Sequence, residues 1–184
     1  MTRYDIVPEL SRVWIDARSN VHPIHSTTDG LEGYIDFDGT AVADAHGAAP
    51  APVNIGANPS GRLSLRVERL RSGNRFEDRE LHKRVDARRY PTIDGVLTSM
   101  RLVGTGGRYK VSGDVAFRGV TRPCEDEMSV TPLDDRTICL EGKSTFDIRD
   151  FGMEPPRILI LRVEPDVVVR VEIVATKPDG KREV

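Results

Sequence analysis

Arg108-Tyr109-Lys110-Val111-Ser112-Gly113-Asp114-Val115-Ala116-Phe117 is the most regular stretch of the sequence, and its reading decides the fold. Tyr109, Val111, Val115 and Phe117 share one side of an extended backbone, while Arg108, Lys110, Ser112 and Asp114 take the other. A strand shows this period of two when one face meets an apolar interior and the other meets water. Gly113 holds an inward position where a large side chain would take up volume. The rhythm recurs on both sides of this stretch. Leu31, Ile35 and Phe37 alternate with Glu32, Asp36 and Asp38, and Leu63, Leu65 and Val67 alternate with Arg62, Ser64, Arg66 and Glu68. Near the C-terminus Val167, Val169, Val171 and Ile173 share a face, with Arg170 and Glu172 opposite. Shorter strands are predicted at Val13–Asp16, Val96–Val103, Cys124–Val130, Thr137–Gly142, Thr145–Ile148 and Ile158–Val163.

Turn residues stand between these runs, at Thr28-Asp29-Gly30, Gly104-Thr105-Gly106-Gly107, Leu133-Asp134-Asp135-Arg136 and Met153-Glu154-Pro155-Pro156. Links this short join antiparallel neighbours. Two segments break the pattern. Ala41–Pro59, rich in Ala, Pro and Gly, reads as a long mobile connection. Phe76–Asp86, dense in charge and with Leu81 and Val85 one helical turn apart, reads as a short helix capping one end of the β structure. Many strands with almost no helix must dispose of their sheet edges, and closure into a barrel removes edges altogether. The expected fold is therefore all-β: one antiparallel β-barrel domain over residues 1–184 with a short capping helix, a two-sheet sandwich being the alternative. An eight-stranded barrel has just enough interior for side chains or one small ligand.

Bulk properties exclude several function classes. Lys+Arg number 27 and Asp+Glu 29, a formal net charge of -2 with a pI near 6.1. No overall field would draw the molecule to nucleic acid. The longest apolar runs, Ile158–Leu161 and Val167–Val169, are strand-sized, against the ~20 residues that a membrane-spanning helix needs. Asp5, Pro8 and Glu9 interrupt the N-terminus before any secretory signal forms, so a cytoplasmic location is expected. Cys124 and Cys139 flank the predicted turn at Leu133–Arg136. Pairing Cys139 with a residue near Val130 leaves Cys124 roughly 20 Å farther along the strand, so two free thiols are expected.

Gly119-Val120-Thr121-Arg122-Pro123, directly after the strand ending at Phe117, resembles a motif of the YceI-like, or polyisoprenoid-binding, proteins. Asp147-Ile148-Arg149-Asp150-Phe151-Gly152-Met153 resembles a second, the Arg-Ser/Asp-Asp-Phe-Gly-Ile-like segment that precedes the family's last two strands. Tyr90-Pro91-Thr92-Ile93 is similar to the family's Tyr-Pro-Thr-Ile, and the charged stretch around Asp78–Leu81 to its Arg-Asp-x-His-Leu. The resemblance runs from Tyr4 to Ala175. The chain departs from the pattern at two places. The family's early His-Ser is Leu10-Ser11 here, and its aromatic strand after Tyr-Pro-Thr-Ile is replaced by Asp94-Gly95-Val96-Leu97, which alters the shape of the pocket. The resemblance implies an elongated lipocalin-like barrel that holds a polyprenyl or quinone-like chain, with no cofactor and no catalytic machinery.

A hydrophobic ligand needs a dry, preformed apolar cavity. The inward stripes supply its candidate walls: Ile15, Ile35, Phe37, Leu65, Val67, Met100, Leu102, Val111, Gly113, Val115, Phe117, Phe146, Ile148, Val169 and Val171. The competing reading is that these side chains simply fill the barrel, in which case the molecule is a protein-interaction module. A barrel enzyme, an isomerase or cyclase, would need an ionisable group on an inward stripe, and none is identified. Pro23 argues against a metal site at His22-Pro23-Ile24-His25, since it breaks the helical turn that would align two imidazoles. Glu32, Asp36 and Asp38 fall on the water-facing side of their strand. Arg149 and Asp150 are expected to pair at a strand corner, the alternative being that they orient a polar head group at the barrel mouth. Lys83-Arg84 with Arg88-Arg89 are expected to form a solvated helix end, the alternative being contact with anionic lipid head groups. Gly-rich phosphate loops, Gly-x-Ser-x-Gly elbows and Cys-x-x-Cys pairs are absent from the sequence. Val168 and Val174 suggest an apolar patch on the outer face of the last strand, hence a homodimer.

Overall fold

In the computed structural model the alternating runs become strands; residues 1–37, 53, 55–56, 58–104, 106–155, 157–158 and 160–178 are described. The strands are β1 (Thr2–Ile6), β2 (Arg12–Ser19), β3 (Ile24–Thr28), β4 (Leu31–Phe37), β5 (Ser60–Arg66), β6 (Thr92–Leu102), β7 (Arg108–Phe117), β8 (Val120–Pro132), β9 (Thr137–Asp147), β10 (Arg157–Ile158) and β11 (Leu161–Thr176). One helix, α1 (Arg75–Val85), lies among them. The sheet runs β1-β4-β5-β6-β7-β8-β9-β11, and antiparallel pairing of Ile6 with Ala175 joins β11 back to β1. The result is a closed eight-stranded barrel without an open sheet edge at either limit of that order. β2 continues from β1 along β11, and β3 pairs with β2.

The junction of β1 and β2 depends on one hydroxyl. Between the pairs Ile6↔Ala175 and Arg12↔Glu172 the first strand has more residues than its partner, and the surplus coils into a 3-10 turn at Pro8–Leu10. Ser11, fully buried, satisfies the groups left without a ladder partner. Its Oγ accepts from the Val174 N–H at 3.0 Å and donates to the Val7 carbonyl at 2.9 Å. The β7–β8 hairpin depends on backbone freedom instead. Arg118 and Gly119 have φ of 50° and 78°, the two consecutive positive values of a tight hairpin turn.

One end of the barrel is solid. Tyr4 and Phe37 stack at 4.8 Å beside Tyr109, Ile138 and Ala175, all essentially without solvent exposure. The Tyr109 hydroxyl donates to the Val53 carbonyl. Val53 and Ile55 belong to the stretch expected to be a mobile connection, yet both are buried in this core. Residues 41–52, 54 and 57 of that stretch, like Asp38, lie outside the described residues. At the other end α1 is capped by Asn74, whose Oδ1 accepts from the Phe76 N–H at 3.0 Å, and stops at Asp86, held left-handed with φ 54°. Leu81 and Val85 pack beneath it against the barrel.

Several expectations are corrected. Asp36 is nearly buried, because Arg3 on β1 lies directly across from it and grips both its oxygens at 2.9 Å. That guanidinium holds the Asp36 carboxyl below its ordinary pKa. Thr137–Gly142 and Thr145–Ile148 merge into the single strand β9, since Lys143 and Ser144 keep the alternation going. Arg149 turns back to Asp147 (Nε–Oδ1 2.9 Å) and is not paired with Asp150. Val174 is buried under the Ser11 turn, which leaves the half-buried Val168 as what remains of the outer apolar patch behind the dimer expectation. Cys139 pairs in register with Thr131, one residue from the expected partner; both cysteines are free thiols.

Candidate functional site

Above the solid end the barrel is hollow. A cavity of about 500 Å³ runs between the core and α1, within the size range of small-molecule pockets. Its wall takes alternate residues from strands around the ring. Ile15, Ile35, Leu65, Val67, Met100, Val111, Gly113, Val115, Phe117, Phe146, Ile148, Val169 and Val171 all line it. Two of the candidate residues do not. Phe37 lies below the cavity, stacked on Tyr4 in the solid end. Leu102, at the end of β6, is 50% exposed, because the strand finishes there and the Gly104–Gly107 turn leaves the barrel.

Glycine makes room here for two different reasons. At Gly95 an added Cβ would meet Leu63 at 3.6 Å, an ordinary contact, so the missing side chain is simply open cavity. At Gly113 an added Cβ would sit 2.4 Å from the Val96 carbonyl oxygen. That glycine is required by the close approach of β6 and β7, whatever the cavity holds.

The sequence reading missed the polar part of the wall. Cys124 and Asp126 on β8 and Ser144 on β9 line the cavity, with Ser26 on β3. In register Cys124 stands opposite Gly113, and Asp126 opposite Val111. The signal was available: Met128 and Val130 belong on the inside, and counting back by twos reaches Asp126 and Cys124. Burial pushes the Cys124 thiol above its ordinary pKa, a hydrogen bond with Ser144 works the other way, and the nearby Asp126 charge adds to the rise. At the α1 end the cavity reaches Asn74, Glu77, Asp78 and Arg84. Asp78 accepts from the Ser72 N–H and hydroxyl at 2.7 and 2.8 Å, and Arg84 lies 3.8 Å from Glu80.

The remaining candidate features separate from the cavity. His25 Nδ1 lies 2.7 Å from Asp16, whereas His22 lies 3.8 Å from Glu77, so the two rings do not converge. Among the described residues no group of three potential ligands could hold a metal ion. No helix among them is long and apolar enough to cross a membrane. The residues that carried the family resemblance shape turns. Pro91 O accepts from the Val67 N–H at 2.9 Å, Thr92 and Ser64 both donate to Asp94 at 2.7 Å, and Gly152 adopts φ 67° to end the 3-10 turn Ile148–Phe151.

A closed antiparallel barrel with a solid floor, a helix at the opposite end and an apolar cavity between them defines a lipocalin-like architecture. The chain belongs to the YceI-like family: the YceI-like domain matches residues 4–175. Solved structures share the fold. The chain resembles Burkholderia cenocepacia BcnA at 18% identity, with a TM-score of 0.74 over 94% of this chain and 100% of that one. It resembles a polyisoprenoid binding domain from Saccharophagus degradans, implicated in plant cell wall breakdown, at 13% identity, with a TM-score of 0.73 over 97% and 100%. A Campylobacter jejuni YCEI protein gives a TM-score of 0.63 at 15% identity, over 84% and 85%. No protein of curated function matches the chain.

Proposed function

We propose that this protein is a carrier that binds a long hydrophobic molecule, of the polyisoprenoid or quinone-like kind, inside the barrel for transport or storage. The observation that carries the reading is the cavity of about 500 Å³ walled by alternate apolar residues of the ring. Each methylene buried there contributes about 0.8 kcal/mol, so a chain needs no strong polar anchor to bind. The polyisoprenoid-binding relative from Saccharophagus degradans supports this class of ligand. Val169, Val171, Val115 and Ile15 are the proposed contacts at mid-height, with Phe117, Phe146 and Ile148 nearer α1.

Native mass spectrometry of freshly purified protein, followed by organic extraction, is expected to show a co-purifying apolar molecule. Gly95→Trp fills the cavity from a position with space at its Cβ and is expected to abolish binding of a fluorescent polyprenyl alcohol while keeping a cooperative thermal transition. Glu141→Gln, exposed on the outside of β9, serves as the control and leaves binding unchanged. A folded Gly95→Trp protein that binds as tightly as the parent would overturn the reading. So would a parent that yields no lipid and binds no probe.

A further inference from the structure

The polar groups of the cavity gather on a seam in the barrel wall. β8 pairs with β9 only from Met128↔Gly142 to Pro132↔Ile138. Yet β8 stays paired with β7 as far as Val120, and β9 stays paired with β11 as far as Asp147. Residues 120–127 and 143–147 therefore have a ladder partner on one side only among the described residues. Pro123 suits such an edge. It has no N–H to give, and in an unbroken β7–β8 ladder its nitrogen takes the side away from β7. Side chains close the gap where the backbone does not. At the far end of the gap Arg122 Nε donates to the Asp150 carbonyl at 3.0 Å and Arg118 Nη1 to the Gly152 carbonyl at 2.6 Å, while Cys124 and Ser144 both line the cavity beside it.

Asp126 sits on this seam and lines the cavity, while its neighbours Glu125 and Glu127 point outward to Lys110 and Arg108. Its Oδ1 accepts from the Glu127 N–H at 3.0 Å, and among the described residues it makes no salt bridge. A carboxylate has about four acceptor sites, so most of its capacity is left to solvent or to a ligand. The cations that reach the cavity wall, Arg84 and Lys143, are placed elsewhere. Arg84 lies at the α1 end, away from the seam, where Nη2 donates to the Arg157 carbonyl at 3.3 Å and Nε, 3.8 Å from Glu80, is buried without a hydrogen bond. Lys143 pairs in register with Arg170, away from the inward stripe.

We propose that the seam between β8 and β9 holds the head group of the bound molecule, and that Asp126 with Ser144 selects a hydrogen-bond-donating group without negative charge, such as a primary alcohol or amine. The inference rests on the carrier reading and narrows its ligand class. A donor on the ligand satisfies the idle carboxylate, whereas a second anion beside it in a partly desolvated wall is disfavoured by like charge. A quinone head, which brings only acceptors, leaves Asp126 unsatisfied and is selected against for the same reason.

The test is displacement of pyrenyldodecane by a series with one chain length: hexadecane, hexadecanol, hexadecylamine, hexadecanoate and hexadecyl phosphate. The parent is expected to prefer the alcohol and amine over the carboxylate and phosphate by about tenfold or more. Asp126→Asn is expected to shrink that preference to about threefold or less while leaving hexadecane unchanged. Should Asp126→Asn fail to fold, Asp126→Ser carries the same expectation. Glu125→Gln, outside the barrel, keeps the parent's pattern. A parent that binds the carboxylate or phosphate as tightly as the alcohol overturns the inference, as does an Asp126→Asn protein with an unchanged preference. If hexadecane displaces the probe and head groups make no difference, the carrier reading survives and this inference falls. If nothing in the series displaces it, both fall together.

Discussion

β7, β8, β9 and β11 wall both ends of the barrel, yet one end is solid and the other hollow. At the solid end the inward positions carry Tyr4, Phe37, Tyr109, Val130 and Ile138, joined from outside the ring by Val53 and Ile55. Higher up, the inward positions carry Ala17, Ser26, Gly95, Gly113, Cys124, Gly142 and Ser144. The same ring of strands thus encloses a core or a cavity according to the side-chain volume at its inward positions and to the plug that Val53 and Ile55 add at one end. Pairing follows the same division. β8 and β9 are zipped beside the solid end and part beside the hollow one, where Pro123 withholds a donor.

Truncation measures the contrast most directly. Ile138→Ala, in the solid end, is expected to cost about 3–4 kcal/mol in denaturant unfolding, because the gap it leaves cannot collapse. Val169→Ala, in the hollow half, is expected to cost roughly 1 kcal/mol or less, since part of its surface already faces empty space. Equal costs would mean that the cavity is closed in solution. Glycine gives the next largest difference. Gly113→Ala forces β6 and β7 apart at the Val96 carbonyl and is expected to cost about 1–3 kcal/mol, whereas Gly95→Ala is expected to be close to neutral.

Hydrogen exchange sharpens the comparison at the seam. Amides of β8 between Met128 and Thr131 that point toward β9 are expected to be protected, and those of Thr121 and Glu125, if they point the same way, to exchange much faster. Uniform protection along β8 would close the seam. The smallest effect concerns pH at the solid end. Arg3 holds the Asp36 carboxyl below its ordinary pKa, so the pair's contribution is whole above the unfolded value of about 3.9 and is lost as pH falls through the depressed one. Asp36→Asn is therefore expected to lie below the parent in thermal stability at neutral pH and to converge on it in acid. A gap that widens on acidification would refute the assignment.

Much of the barrel was legible along single strands. The run from Arg108 to Phe117 gave β7 and its inward face, because alternation is a local property of an extended chain between water and oil. The helix after Asn74 was legible to within a residue, from charge density and the spacing of Leu81 and Val85. Asp36 keeps the outward face that alternation assigns it, but its burial beneath Arg3 was not legible, because that partner is remote in sequence and remote pairing is invisible to a periodicity. Val174 was misplaced for the same reason: the turn that covers it comes from residues 7–11. Cys124, Asp126 and Ser144 were passed over since polar residues on a noisy strand suggest a wet face.

By itself, then, the sequence determined that strands form, which side of each faces in, and where the chain turns, since these depend on neighbours a few residues apart. It also carried the short motifs that place the chain among YceI-like proteins. Only the tertiary structure decided that the interior is part core and part cavity. Whether an inward side chain meets atoms or space depends on what the opposite wall contributes, and the walls are brought together by closure of β11 on β1. The seam is a decision of the same kind. β8 and β9 are joined by a short turn and paired beside it, but how far their pairing runs is set by β7 and β11, which hold them from either side.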